Sequence, residues 1–340
     1  AILTLHRKAI DRLSLGNYKR LYKIEVFMKI NLFAIAICIA FATSGCAKTE
    51  STDEKVDALI AKMTVQEKAG QLNQYSGFEI LTGDIDDSKI SERNERIKNG
   101  LLGSVLNVLG TGDVEKAQRY AVEQTRLGIP LIFAFDVIHG YRTIFPVPLA
   151  ESASWDLEAI ERSARIAAIE ASAAGQNWTF APMVDISHDP RWGRVMEGAG
   201  EDPYLGGKIA QARVRGFQGN DLSQPDTIAA TAKHFAAYGE VIAGREYNNV
   251  DISRRKLWET HLPPFKAALD AGVKSFMNAF NEFEGVPASA NTYLIDDILR
   301  GQWAFDGVLV SDWDSIGAMV TSGVIEDDAT TEILINNRMS

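Results

Sequence analysis

Six short apolar runs, each closing on polar or charged residues, constrain this chain more than any other feature. They read GSVLNVL (103–109), PLIFAFD (130–136), WTFAPMVD (178–185), IAATAKHF (228–235), KSFMNAFN (274–281) and GVLVSD (307–312). Apolar residues fall on consecutive positions and are rich in β-branched and aromatic types, as strands buried on both faces require. Helical patterns separate them: 157–175 closing at Gly175, 205–219 closing at Gly219, 253–272 interrupted by Pro263-Pro264, and 292–303. Upstream, DALIAKMTVQEKAGQL predicts two helices that meet at Thr64, where Thr64 and Glu67 have capping-box spacing. Strand alternating with helix means right-handed βαβ units and a parallel sheet, either doubly wound or closed as a barrel.

The run ends favour the barrel. They carry Asp136 and His139, Asp185, Lys233 and His234, Asn278 and Asn281, and Asp312. A barrel brings every strand C-terminus to one mouth, whereas an open sheet gathers only those at its switch point. The expected class is α/β, a (β/α)8 TIM-like barrel incomplete at its C-terminal end. No Gly-x-Gly-x-x-Gly follows a strand, which speaks against a dinucleotide site.

The first 46 residues are of another kind. Seven basic residues, from Arg7 to Lys29, precede the apolar stretch LFAIAICIAFA (32–42) and then TSGC (43–46). That order predicts a signal peptide over 28–46, with Cys46 as a lipid-accepting residue that anchors the protein to a bacterial membrane in a periplasmic or outer-membrane location. The apolar stretch is shorter than the roughly 20 residues a spanning helix needs. Met28 opens a well-proportioned signal, so residues 1–27 are read as upstream translation, 47–55 as a linker and 56–340 as the barrel domain. Cys38 and Cys46 are the only cysteines, too few for a disulfide framework. The chain has 35 Lys and Arg against 45 Asp and Glu, and residues 1–45 hold 7 and 2 of these. The remainder therefore carries 28 basic and 43 acidic residues, a net charge of −15 that argues against nucleic acid as a partner and suits a neutral substrate.

Taken singly, the polar residues allow bland roles. Asp136 could terminate a turn, and His139 and His234 could be satisfied core histidines. Arg194 in RWGR could pair with Glu197, Glu201 or Asp202, and Trp313 could be core. Lys233 is less easily explained, because an ammonium at the end of a buried strand needs a carboxylate or a polar ligand. Together, Asp136, Arg194, Lys233, His234 and Asp312 offer the fixed donors and acceptors that a polyhydroxylated ring requires, and Trp313 offers a stacking face. No phosphate-cradling loop and no His-Glu-x-x-His spacing occurs, so neither cofactor nor metal is expected.

FDVIHG, APMVDISHDPRWGRVMEGAGEDPYL, TAKHFAAYG, FMNAFNEFEGVPASAN and VLVSDWDS resemble glycoside hydrolase family 3 over roughly residues 50–325. The resemblance implies an N-terminal (β/α) barrel and retaining, exo-acting hydrolysis of terminal β-D-glucosyl residues, with β-xyloside hydrolysis as the alternative within the family. It makes Asp312 the nucleophile, Asp136, Arg194, Lys233, His234 and Arg245 the residues that grip sugar hydroxyls, and Trp313 a wall of the pocket. Lys233 and Arg245 are expected to favour an ionised Asp312, and Asp314 to be a turn residue. Three departures accompany it. Phe280 stands where many members have Tyr, and KHFAAYGE lacks the histidine of the N-acetylglucosaminidase subgroup. The acid/base Glu of the glucosidase type, carried on a following α/β-sandwich domain, has no counterpart here. The chain is accordingly read as the N-terminal part of a longer enzyme, completed by its own C-terminal domain. A sugar-binding lipoprotein without catalysis is the competing reading.

Overall fold

The computed structural model describes residues 51–77, 87–321 and 323–325. The signal peptide, Cys46 and the upstream segment lie outside the described residues, as does the tail after Ile325. The chain divides after Lys62 into two compact units. In the first, helix Thr52–Ile60 begins inside the stretch read as a linker. Its start is set by Ser51: Glu54 N–H donates to Ser51 Oγ (3.1 Å) and Ser51 N–H to Glu54 Oε2 (2.8 Å). That reciprocal cap satisfies two donors the first turn would otherwise leave free.

The second unit opens with the same device. Thr64 and Glu67 form the expected capping box at the head of helix Val65–Gln71. Strand β1 (Gln74–Ser76) follows, and then β2 (Ser104–Leu106), β3 (Ile132–Phe135) and β4 (Trp178–Thr179). These four pair in parallel in chain order. Strands β5 (Thr231–Phe235) and β6 (Ser275–Asn278), with a later strand Val308–Val310, form a second parallel ladder. A hairpin intervenes in sequence, β7 (Glu282–Phe283) and β8 (Val286–Pro287), so Val308–Val310 is β9.

The two ladders are stitched together between β4 and β5. Thr179 N–H donates to Ala229 O and Ala229 N–H to Asn177 O, each at 2.8 Å. Further along, Thr231 N–H donates to Ala181 O (3.0 Å) and Val184 N–H to Lys233 O (2.8 Å). β4 itself is short because Pro182 has no N–H to give a ladder. Neighbours in space are neighbours in sequence and all seven strands run the same way. The strand C-termini therefore share one face, as in a TIM-like α/β barrel. No pairing between β9 and β1 closes the ring among the described residues.

All six apolar runs contain a strand. β1 is not one of them, since Gln74-Tyr75-Ser76 has no apolar run to announce it. The β7–β8 hairpin turns on Glu284 (φ 53°) and Gly285 (φ 78°), the paired positive dihedrals of a tight hairpin. The Pro263-Pro264 interruption does not end its helix. Chain 254–270 is helical throughout, with a widened turn at Leu257–His261 and the prolines in the first turn of Leu262–Asp270. The widened turn accommodates the two prolines, which lack the N–H groups a regular helix would bond to the preceding turn.

Leu106, Ala134, Trp178, Phe180 and Met277 fill the space enclosed by the strands. Trp178 Nε1–H is satisfied by Thr231 Oγ1 (2.8 Å) and Ser275 Oγ (2.7 Å), which ties β4 to β5 and β6 through side chains. Outside the strands, helices Leu157–Ala173 and Pro203–Gln218 approach closely on alanine and glycine. A Cβ at Gly216 would lie 2.4 Å from the Glu161 carbonyl oxygen and 2.6 Å from Ala164 Cβ. Ala favours a helix over Gly by about 1 kcal/mol. Overpacking against backbone that cannot yield typically costs about 1–3 kcal/mol, so the clash wins. Gly216→Ala is expected to lower the midpoint of thermal unfolding, whereas Gly112→Ala, where a Cβ meets open space, should not lower it. Melting both variants beside the parent chain checks this.

Candidate active site

A cavity of about 2360 Å³ runs along the strands, from Lys274 and Gly307 before β6 and β9 to the strand C-termini, where its wall includes Asp136, Arg194, Glu197, Lys233, Asp312 and Trp313. Each reaches it from a different element. Asp136 follows β3, Lys233 lies within β5, and Asp312 sits two residues past β9. Arg194 comes from a single 3₁₀ turn, Gly193–Glu197, on the connection after β4.

The cations are held by carboxylates. Lys233, almost fully buried, donates through Nζ to Asp136 Oδ1 at 2.5 Å, and Asp136 keeps 44% of its side chain exposed. The bare ammonium the sequence left unexplained is thereby compensated. Arg194 makes a forked pair with Glu197 (Nε to Oε1 2.7 Å, NH2 to Oε2 3.0 Å) and a longer contact with Glu246 Oε1 (3.4 Å). Burial opposes its charge, yet Glu197, Asp312 and Glu246 outweigh that and hold the guanidinium more firmly protonated than usual.

His234 stands behind the wall, with its side chain 1% exposed. Its Nδ1 lies 2.8 Å from Asp185 Oδ2, and its backbone N–H donates to the same oxygen at 2.9 Å. Its Nε2 lies 3.0 Å from Arg194 NH2 and 3.4 Å from Asp312 Oδ2. Burial, and then the charges of Arg194 and Lys233, push the imidazole well below its ordinary range, so it is neutral and its approach to Asp312 is not an ion pair. Asp185 is itself wholly buried, and burial pushes its carboxyl up to about 7.

Asp312 is mostly buried, with 13% of its side chain exposed. Oδ1 accepts the N–H of Trp313 at 2.6 Å, while Oδ2 is buried with no hydrogen-bond partner among the described residues. Burial pushes its carboxyl up to about 6; the Trp313 hydrogen bond and the charges of Lys233 and Arg194 resist this, and Asp136 adds to it. Lys233 favours the ion, as expected, while Arg245 does not act on it, and desolvation is the larger effect. Trp313 is 60% exposed at the cavity edge, its ring available as a platform.

Arg245 is not brought to this site. It is exposed and absent from the cavity wall, and its neighbour Glu246 turns inward instead. Glu246 accepts from Tyr238 Oη–H (2.8 Å) and Trp192 Nε1–H as well as from Arg194. In GREYN the sequence offered both charged residues, and no periodicity distinguished the inward one. Glu197 was a candidate partner from the outset, while Asp185 was visible only as a run end. His139 has the bland role, with Nδ1 against Phe145 O at 2.9 Å. Asp314, at φ 51°, is a turn residue whose carbonyl accepts Ala318 N–H. Phe280 packs between Tyr238 and Tyr247 (5.9 and 4.7 Å between ring centroids) and does not line the cavity.

A parallel α/β barrel with a buried carboxylate at the end of its last strand defines the class, and comparison supplies the family. Residues 64–333 match the glycosyl hydrolase family 3 N terminal domain, and the chain belongs to that family. It is 41% identical over 278 residues to the periplasmic beta-glucosidase of Salmonella typhimurium, covering 82% of this chain and 35% of that protein. A beta-xylosidase of Formosa agariphila is 33% identical over 290 residues, again covering 35% of its length. The beta-glucosidase of Listeria innocua, solved with glucose, superposes with a TM-score of 0.77 at 40% identity, covering 84% of this chain and 41% of that one. The same enzyme carrying the D270A mutation was solved with laminaribiose. The chain thus spans about a third of the length of these curated relatives.

The raised Asp312 carboxyl has a consequence for stability. Its value is higher folded, about 6, than unfolded, 3.8, so the folded state holds the proton more tightly. Below 3.8 both states are protonated and nothing is lost. As pH rises through the interval the ionised form increasingly disfavours folding, and the full cost of about 3 kcal/mol is present above 6. Asp312→Asn, which removes the charge, should therefore melt higher than the parent chain. The gap should be absent below pH 4 and open between pH 4 and 6, as thermal melts across that range will read.

Proposed function

We propose that this chain is the sugar-gripping, nucleophile-bearing part of a retaining, exo-acting β-glucosidase. The observation that carries the reading is Asp312 at the cavity wall, its Oδ2 buried and unpartnered among the described residues, with Lys233 and Arg194 beside it. The Asp312 carboxylate attacks the anomeric carbon of a terminal β-D-glucosyl residue, the bond to the leaving oxygen breaks, and a glycosyl ester forms on Asp312. Water then cleaves the ester and releases glucose with its original anomeric configuration. Asp136, Arg194 and Lys233 bind hydroxyls of the ring, and Trp313 stacks against the sugar at the mouth.

The protonating partner comes from outside the described residues. On the cavity wall Asp136 and Glu197 neutralise Lys233 and Arg194, and a general acid must instead be free to hold and release a proton. A following domain of a longer polypeptide supplies it, a reading supported by the share of its relatives that this chain spans. The relative found in the periplasm, together with TSGC at 43–46, supports a secreted protein lipidated at Cys46. Beta-xylosidase relatives match at lower identity than the beta-glucosidase of S. typhimurium, which supports glucosides over xylosides.

Incubation with 2-deoxy-2-fluoro-β-D-glucosyl fluoride tests this, since fluoride departs without protonation. The parent chain should gain one fluoroglucosyl unit at Asp312, read by mass spectrometry, and Asp312→Ala should gain none. Binding of glucose without labelling would support a sugar-binding lipoprotein instead, and faster labelling by the fluoroxylosyl analogue would transfer the assignment to xylosides.

A further inference from the structure

The arrangement behind Asp312 determines where the proton of His234 sits. A guanidinium has only donors, so Arg194 NH2, at 3.0 Å, meets a lone pair on His234 Nε2. The neutral ring must then carry its hydrogen on Nδ1, and that hydrogen points to Asp185 Oδ2 at 2.8 Å. The backbone N–H of His234 reaches the same oxygen at 2.9 Å, so ring and main chain are gripped by one acceptor. On the other side, Nε2 lies 3.4 Å from Asp312 Oδ2, the oxygen that has no partner among the described residues. With a lone pair there, the imidazole cannot donate to that oxygen. The opposite tautomer would place an N–H against it.

We infer that Asp185 is a positioning residue: by accepting the Nδ1–H of His234 it keeps the Nε2 lone pair facing Arg194 and Asp312, so that Arg194 is oriented and the buried Oδ2 of Asp312 meets no donor from the ring, leaving the carboxylate the stronger nucleophile. The inference rests on the reading of Asp312 as a nucleophile, but the proton placement does not. Burial favours the scheme, since Asp185 and His234 are both inaccessible to water that could supply a substitute acceptor. The remaining oxygen, Asp185 Oδ1, is buried and has no hydrogen-bond partner among the described residues. Only one oxygen of the carboxylate is needed, so Asp185→Asn can present its carbonyl oxygen to both N–H groups, whereas Asp185→Leu cannot.

Nitrogen-15 NMR of histidine-labelled chain reads the tautomer with no ligand present. In the parent chain and in Asp185→Asn, His234 should show a protonated Nδ1 and an unprotonated Nε2. Asp185→Leu leaves Nδ1–H without an acceptor, so the hydrogen should shift to Nε2, which breaks the contact with Arg194 and turns the N–H toward Asp312 Oδ2. Carbon-13 titration of Asp312 should then show its carboxyl falling from about 6 toward the ordinary range in Asp185→Leu only, because Oδ2 gains a donor. Loss of a hydrogen bond to a charged group corresponds to roughly ten- to hundred-fold, and labelling of Asp312 by the fluoroglucosyl fluoride should slow by that factor in Asp185→Leu, with Asp185→Asn restoring most of it. A parent chain with its hydrogen on Nε2 would overturn the inference, as would an Asp185→Leu variant that keeps the parent tautomer. Should Asp185→Leu fail to fold, the parent tautomer and the Asp185→Asn labelling rate decide the question. If the parent chain shows the stated tautomer but is never labelled, the hydrolase reading fails while the placement of the proton by Asp185 stands.

Discussion

The constraint on which this mouth is built is the cost of holding Asp312 out of water. A carboxylate near the end of a buried strand is opposed by desolvation, and charges of the other sign must be brought close to keep it ionisable. Lys233 and Arg194 do this, but each is itself largely buried and needs its own carboxylate. Asp136 answers Lys233, and Glu197 with Glu246 answers Arg194. The site is thus an alternating set of charges in which no member is stable alone. Its members come from strand β5 and from the connections after β3, β4, β5 and β9, so they meet only after the parallel ladder from β3 to β9 has formed.

The ladder in turn depends on the join between β4 and β5. β4 is two residues long and ends near Pro182, and yet Ala181, Pro182 and Val184 continue to exchange hydrogen bonds with β5. That irregular path carries the chain to Asp185, which meets His234 from the adjacent strand. A buried ion pair between Arg213 and Glu151 fastens the outside of the same region. Arg213 NH1 also donates to the carbonyl of Ile138 at 2.9 Å, bracing the segment that follows Asp136. Trp178, Phe180 and Met277 pack together along the cavity wall.

Much of this was legible residue by residue. The six apolar runs located the strands β2 to β6 and β9, because a strand buried on both faces has no polar positions to disguise it. Thr64 and Glu67 announced a helix start, and Gly175 and Gly219 the helix ends. β1 and the β7–β8 hairpin were not legible, since Gln74-Tyr75-Ser76 and Glu282-Phe283 acquire strand geometry from their neighbours and not from their composition. Arg245 and Glu246 illustrate the limit at the site. Both are charged and adjacent in sequence, and which one faces Arg194 depends on Trp192 and Tyr238 being there to donate to it.

By itself the sequence determined the order of strands and helices, the convergence of Asp136, Lys233 and Asp312 on one face, and membership of glycosyl hydrolase family 3. Those follow from hydrophobic periodicity and from residue identity at strand ends, which are local properties. Tertiary structure alone decided the protonation of the mouth. Asp312 is raised, His234 is neutral with its hydrogen toward Asp185, and Arg194 is held firmly charged. Each of these balances desolvation against charges contributed by distant segments, and neither quantity exists until the segments have packed.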